Sequence, residues 1–346
     1  MTDPSPRTAS LDNLPPEWHG AVVAIGNFDG VHRGHQGVLQ AARAEADHLG
    51  VPALMLTLEP HPRAFFTGKP IFRLTPPPLK SVLSAACGMD GTLVLDFDAA
   101  LAAESAEDFV AEILVERLGI RHVATGYDFH FGHKRRGTPE FLRDSGAASG
   151  FGVTIVGELS DGGAAVSSTR IRDALGRGDL RSANDLLGWT WSVAGTVQGG
   201  DKRGRELGYP TANMGMDPSC GLALGIYAVR YVRPDGSVHD GVASYGRRPN
   251  FDDGPPLLET FLFDFSGDLY GEAGLVMMMA RLRGEERFDS VAALVTQMEA
   301  DSIEARAVLE RTLPLPMDGR VATAFAAMGS SGQAHAARLP MGQGLG

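Results

Sequence analysis

Cysteine is almost missing from this chain: Cys87 and Cys220 are the only two in 346 residues. Two are too few for a disulfide framework or a zinc site. Basic residues are also in deficit, 31 Lys and Arg against 42 Asp and Glu, and the formal charge of -11 is spread along the chain. That balance argues against general nucleic-acid or anionic-membrane binding, which needs a basic face. Local basic groups can still collect the phosphates of a small ligand. No apolar run approaches the roughly 20 residues of a membrane span. The first twenty residues hold Asp3, Asp12, Glu17 and several Pro, without the apolar stretch of a signal peptide. Together these absences predict a soluble, cytoplasmic protein with no nucleic-acid or membrane partner.

What is present is enough for ordinary packed cores, since 43% of residues are hydrophobic. The length suggests two domains. Residues 1–19 read as a flexible lead-in. Short runs rich in Val, Ile and Leu follow at Ala21–Ile25, Ala53–Leu58, Thr92–Leu95, His122–Thr125 and Val153–Val156. Amphipathic stretches lie between them: Val38, Leu39, Ala42, Ala46 and Leu49 share one helical face, and Phe109, Ile113, Leu114 and Leu118 another. Ser105 and Asp108 have capping-box spacing before the second of these. Strands alternating with helices predict an α/β domain whose parallel sheet is covered on both faces.

The texture changes near Gly188. Gly225–Arg233, Val238–Tyr245, Leu258–Phe265 and Leu275–Leu282 read as strands separated by Gly, Pro and Asp, which suggests a barrel or a sandwich. One helix is expected over roughly 289–312, with Val291, Leu294, Val295, Met298, Ala305 and Val308 on one side. The stretch 313–346, rich in Ala, Gly and Met, reads as a mostly flexible tail.

The first strand runs into Gly26-Asn27-Phe28-Asp29-Gly30-Val31-His32-Arg33-Gly34-His35. Glycines let backbone N–H groups come close to a ligand, and the helix that follows points its positive end at the same spot. His32 and His35, three apart, face one side of a first helical turn. Imidazoles there can donate to phosphate oxygens as a phosphoanhydride breaks. A lone His-x-x-His pair is more often a solvated helix start; the surrounding glycines at a strand's carboxyl end reverse those odds. No carboxylate or Cys cluster supports a metal site instead.

Ser167-Ser168-Thr169-Arg170-Ile171-Arg172 opens a later helix, and hydroxyls with Arg at a helix N-terminus suit an anion. Alone it would be an ordinary N-cap; beside the His loop it reads as the second jaw of a triphosphate site. Gly126-Tyr127-Asp128-Phe129-His130-Phe131-Gly132 also follows a strand. It suits an aromatic or phosphorylated ligand, or it is a surface loop with Phe129 and Phe131 tucked into the core.

These three segments together resemble the bacterial bifunctional riboflavin kinase/FAD synthetase family. The His loop and Ser167–Arg172 mark only the wider His-x-Gly-His nucleotidyltransferases, and the Asp128 loop narrows the likeness to the flavin branch. The resemblance implies a Rossmann-like FMN adenylyltransferase domain over 20–185 and a β-barrel riboflavin kinase domain with a terminal helix over 186–312. It further implies that His32, His35, Ser168, Thr169 and Arg170 hold ATP phosphates, with Gly26, Asn27, Phe28, Asp29, Gly30 and Gly34 forming the nucleotide loop and Asp128 near the nucleotide or flavin.

Residues 195–213, Gly-Thr-Val-Gln-Gly-Gly-Asp-Lys-Arg-Gly-Arg-Glu-Leu-Gly-Tyr-Pro-Thr-Ala-Asn, look like the riboflavin kinase signature. By that likeness Gly200, Lys202, Gly204 and Arg205 close over phosphates. Thr211 and Asn213 offer hard oxygens to Mg²⁺. Glu259 stands at the family's catalytic glutamate, able to take the proton of a ribityl hydroxyl. The expected activity is phosphorylation of riboflavin to FMN, then adenylylation of FMN to FAD, with ATP as co-substrate of both steps. Asn250 in Pro249-Asn250-Phe251, Gln198 and Leu58 depart from the family pattern. The alternatives are a descendant that keeps one activity and a flavin- or nucleotide-binding regulator; the intact His32/His35 pair, Thr211/Asn213 and Glu259 argue against the regulator.

Overall fold

Two sheets, each with its own hydrogen-bonding logic, organise the chain in this computed structural model, which describes residues 5–199, 209–246 and 256–330. The first is wholly parallel. Its strands are β1 (Thr8–Ala9), β2 (Val22–Ile25), β3 (Ala53–Glu59), β4 (Gly91–Asp96), β5 (His122–Gly126) and β6 (Gly152–Val156), in the order β1-β4-β3-β2-β5-β6. Val22 and Ala24 join one core cluster, while Val23 and Ile25 join another on the opposite face. That two-sided burial is why the strand is apolar throughout, as a covered parallel sheet requires. β2 lies between β3 and β5, where the strand order reverses, and ligands of such sheets bind outside the carboxyl ends at that point.

Helix α1 (Arg33–Leu49) starts on His32 as its cap and ends at Gly50 in the left-handed conformation. α2 (Pro62–Thr67), α3 (Pro77–Ala86) and α4 (Ala99–Ala103) follow. Ser105 caps the next segment, accepting from the Asp108 N–H at 3.0 Å. The segment winds on as a π-helix over Phe109–Arg117, burying Phe109, Val110, Ile113 and Leu114. Beyond it come α5 (Pro139–Ser149), the hairpin β7 (Ser160–Asp161) and β8 (Ala164–Ala165), α6 (Ser168–Gly176) and α7 (Leu180–Leu187).

The second sheet is antiparallel: β9 (Ser192–Thr196), β10 (Thr211–Gly215), β11 (Gly225–Val232), β12 (Val238–Gly246), β13 (Leu257–Leu262) and β14 (Ala273–Arg283), in the order β10-β13-β12-β11-β14-β9. A bridge from Gln198 to Asn213 brings the two edges together, so the sheet is a nearly closed barrel rather than a sandwich. α8 (Val291–Arg311) covers it through Asp301, Ala305 and Leu309, whereas Val291, expected on the apolar face, is 62% exposed.

Two expectations need correcting. The lead-in is built into the fold from Ser5 on: β1 extends the parallel sheet, and Trp18 is 1% exposed. Its ring fills the space that a side chain at Gly91 would need, with the Arg7 guanidinium 5.3 Å above it. The tail likewise carries a helix, α9 (Asp318–Ser330), packed on α3, with Val321, Ala324 and Phe325 buried. The Asp318 carboxylate accepts from the Thr190 N–H and hydroxyl, both at 2.8 Å, pinning that helix to the junction between the sheets. Sequence periodicity missed the first because β1 is two residues long, and both are held by partners far away in the chain.

Trp18→Ala is expected to lower the unfolding free energy by about 3–5 kcal/mol, the usual cost of emptying a large buried aromatic site. Urea titration reads this directly, and a loss under about 1 kcal/mol would return residues 5–18 to a loose lead-in.

Candidate functional site

At the carboxyl end of β2 the backbone turns through positive φ at Phe28 (46°), Gly30 (93°) and Val31 (38°). Only glycine takes such angles without cost, so Phe28 and Val31 must be held there. Both are buried, at 1% and 0% exposure. The Gly30 N–H donates to Thr75 Oγ1 at 2.8 Å, and its carbonyl accepts from the Trp189 indole at 3.0 Å. The Gly26 N–H goes to the Leu56 carbonyl. Both of these N–H groups are thus already used within the protein.

Asp29 is likewise engaged within the protein. Its carboxylate is 1% exposed, accepts from the Thr75 N–H at 3.0 Å and is ion-paired with Arg172. It braces the loop from beneath.

The turn leaves the two histidines at the N-terminus of α1, their rings stacked with centroids 3.6 Å apart. Phe28 meets the His35 ring edge-on at 5.3 Å. His32 Nδ1 accepts from the His35 backbone N–H, which puts a neutral ring's proton on Nε2, a donor pointing away from the helix. A side chain on Gly34 would press on the His32 ring at 3.2 Å, so glycine keeps that ring in place. Burial pushes His32 down to about 4, although Asp29 pulls it up. Burial, with His32 and Lys80 nearby, pushes His35 well below the usual imidazole range. His35 Nδ1 and Asn27 Oδ1 are buried without a hydrogen-bond partner among the described residues.

The second jaw meets the first. Ser168 Oγ donates to the Asp29 carbonyl at 2.7 Å, and Thr169 is exposed beside it on the first turn of α6. Arg170 Nη1 instead holds the β7–β8 hairpin, donating to the carbonyls of Asp161, Ala164 and Ala165. Asp128, at the end of neighbouring β5, is exposed, and its carbonyl accepts from His130. Phe131 is buried against Phe109 and Phe129, so the core-packing alternative holds for these rings.

Sequence reading missed the layer beneath. Lys80 and Arg73 surround Glu59, and Arg73 makes two bonds to that carboxylate at 2.8 and 2.5 Å. Burial alone would raise Glu59, but Arg73 and Lys80 bring it below the ordinary range. Phe65, Phe66 and Phe97 form an edge-to-face trio with centroids 5.3 to 5.7 Å apart, and Phe66 is 69% exposed. The motif around Glu59-Pro60-His61-Pro62 was the one available signal for this region.

In the barrel, Asn213 on β10 lies directly opposite Glu259 on β13, and Thr211 opposite Phe261. Alternation puts all four on one face, with opposed Cβ atoms about 5 Å apart. Thr211 Oγ1 is 3.2 Å from Asn213 Oδ1, and Tyr209 meets Phe261 edge-on at 4.8 Å. Gly200, Lys202, Gly204, Arg205 and Asn250 lie outside the described residues.

The family model described as FAD synthetase matches residues 14–170, and the one described as riboflavin kinase matches 187–309. A bifunctional riboflavin kinase/FMN adenylyltransferase of Pseudomonas fluorescens is 42% identical over 299 residues, 86% of this chain and 96% of that protein. The protein of the same description from Escherichia coli K12 is 37% identical over 306 residues, 88% of this chain and 97% of its own. A crystal structure described as a macrolide-efflux protein from Streptococcus pneumoniae superposes with a TM-score of 0.75 at 29% identity, covering 88% of this chain and 99% of that one. Among the described residues no helix is long and apolar enough to cross a membrane.

The depressed His32 gives a pH dependence whose sign is fixed. The unfolded chain takes up its proton near the ordinary imidazole value of 6.5 and the folded chain only near 4, so stability falls as pH drops across that window. Roughly 1.4 kcal/mol per pKa unit gives His32 a share of about 3 kcal/mol. Urea midpoints at pH 7 and pH 4.5 are expected to differ less in His32→Gln than in wild type; equal differences would remove His32 as the source.

Proposed function

The chain belongs to the bifunctional riboflavin kinase/FMN adenylyltransferase family, and from that premise we propose how its two halves divide the work. The enzyme phosphorylates riboflavin to FMN with ATP, then joins FMN to the AMP part of a second ATP to make FAD, releasing pyrophosphate. Kinase chemistry belongs to the barrel, and adenylyl transfer to the parallel-sheet domain.

In the adenylyl-transfer site the triphosphate lies against the N-terminus of α1, whose free amides and dipole favour anions. An oxygen of the FMN phosphate attacks the α-phosphorus of ATP as the bond to pyrophosphate breaks. No covalent enzyme intermediate is needed, so catalysis rests on alignment and on neutralising charge. His32 and His35 supply N–H donors that are already neutral and fixed. Ser168 and Thr169 border the same phosphates, and Asp128 borders the ligand from β5. The exposed Phe65–Phe66–Phe97 surface suits a flat flavin ring. The observation that carries this half is the stacked His32/His35 pair at the switch point of the sheet, with a buried nitrogen lacking a partner among the described residues.

In the barrel, Glu259 takes the proton from the ribityl 5′-hydroxyl as that oxygen attacks the γ-phosphorus. Its register opposite Asn213 supports the assignment. Thr211 and Asn213 present two hard side-chain oxygens, the donor type that Mg²⁺ prefers, and we assign the ion to them. When bound, it would neutralise the phosphate oxygens of ATP. Lys202 and Arg205, with Gly200 and Gly204, approach the same phosphates.

His35→Ala is expected to lower FAD formation from FMN by about 10²–10³-fold, with riboflavin phosphorylation unchanged. Glu259→Gln is expected to lower FMN formation by about 10²–10⁴-fold while supplied FMN is still converted to FAD. Chromatography of the flavins reads both. A single variant that stops both steps in folded protein would refute the division.

A further inference from the structure

Lys80 sits in the first turn of α3, 1% exposed, directly under the His loop. Three acceptors surround its Nζ: the Asn27 carbonyl at 3.1 Å, Thr57 Oγ1 at 3.0 Å and Glu59 Oε1 at 2.9 Å. That number matches the three N–H donors of an ammonium. Burying a cation is costly unless it is needed to neutralise a carboxylate. Here it is not needed. Glu59 is already held twice by Arg73, and Asp29 is paired with Arg172. Three buried or half-buried cations thus face two carboxylates, and Lys80 is the surplus one. The other charged or titratable groups near the cluster are His35, pushed down by burial with His32 and Lys80 nearby, His61, pushed down to about 4 chiefly by burial, and the exposed Asp217.

We propose that Lys80 is a positioning residue for adenylyl transfer, holding the Asn27 carbonyl so that residues 26–35 present both imidazoles to the triphosphate. The inference rests on the adenylyl-transfer reading given above. Asn27 is the residue before Phe28, where φ first turns positive, and the Phe28 ring abuts His35. Fixing the Asn27 carbonyl therefore fixes where the strained turn begins and where His35 stands. Thr57 donates to the same carbonyl at 3.1 Å, so β3 and α3 both grip it.

The test uses full-length Lys80→Met and Glu59→Gln beside wild type. In Lys80→Met, kcat for FMN adenylylation is expected to fall about 10- to 100-fold, the usual effect of misplacing a catalytic group. KM for FMN and ATP should move far less than kcat, and riboflavin phosphorylation, which uses the other site, should be unchanged. Glu59→Gln keeps the Lys80–Asn27 bond, so most of its adenylylation kcat should survive. The proposal is overturned if Lys80→Met keeps wild-type kcat, or if Glu59→Gln loses as much, since the ion pair would then be what matters. Should Lys80→Met lose both activities by failing to fold, the Glu59→Gln result decides on the same criterion. Wild-type protein that makes no FAD from FMN would instead sink the underlying reading.

Discussion

The buried carboxylate of Asp29 ties distant stretches of chain to one point, and the adenylyl-transfer site depends on that tie. One oxygen holds the backbone of Thr75, and the other is paired with Arg172 on α6. Its own carbonyl receives the Ser168 hydroxyl, so the His loop and the start of α6 are joined through a single residue. Removing one member of such a buried pair leaves an uncompensated charge, which typically costs 3–5 kcal/mol. The residue next to it, Gly30, is gripped by Thr75 on one side and by the Trp189 indole on the other. Trp191 donates to the Leu74 carbonyl at 3.0 Å, and Arg172 to the Phe72 carbonyl at 2.7 Å. The segment leading into the barrel is thus part of the scaffold of the His loop.

The barrel achieves its geometry by different means. Its candidate site needs no strained turn, because the antiparallel register puts Asn213 and Glu259 side by side on adjacent strands. A one-residue slip would move Glu259 to the opposite face. Leu258, Thr260 and Leu262 alternate with it and are buried, so the barrel core fixes the register that chemistry then uses.

Much of this was readable in the sequence because strands and motifs are local. The apolar runs at 21–25, 53–58 and 122–125 and the four longer barrel strands stand out, since burial on both faces or strict alternation writes itself into consecutive residues. The His loop was readable for the same reason. What escaped is long-range. Nothing in the sequence says that Asp29 points inward to Arg172, 143 positions away. Lys80 follows Pro76-Pro77-Pro78, where a lone Lys looks like a solvated charge rather than a buried one. Nothing in the sequence says that Arg170 Nη1 donates to three carbonyls of the hairpin. The ends of the chain were misread because a two-residue strand and a helix docked on a distant domain leave almost no periodic signal.

Following the phosphorus tests the two-site division most directly. Wild-type protein would receive riboflavin, Mg²⁺ and ATP labelled at either the α- or the γ-phosphorus, with FMN and FAD separated afterwards. Label from the γ-position should enter FMN and persist in FAD, because the barrel transfers the terminal phosphoryl group. Label from the α-position should enter FAD alone, because AMP is transferred only in the step that makes FAD. Label from the α-position in FMN, or flavins that take up neither label, would contradict a γ-phosphoryl transfer followed by an adenylyl transfer.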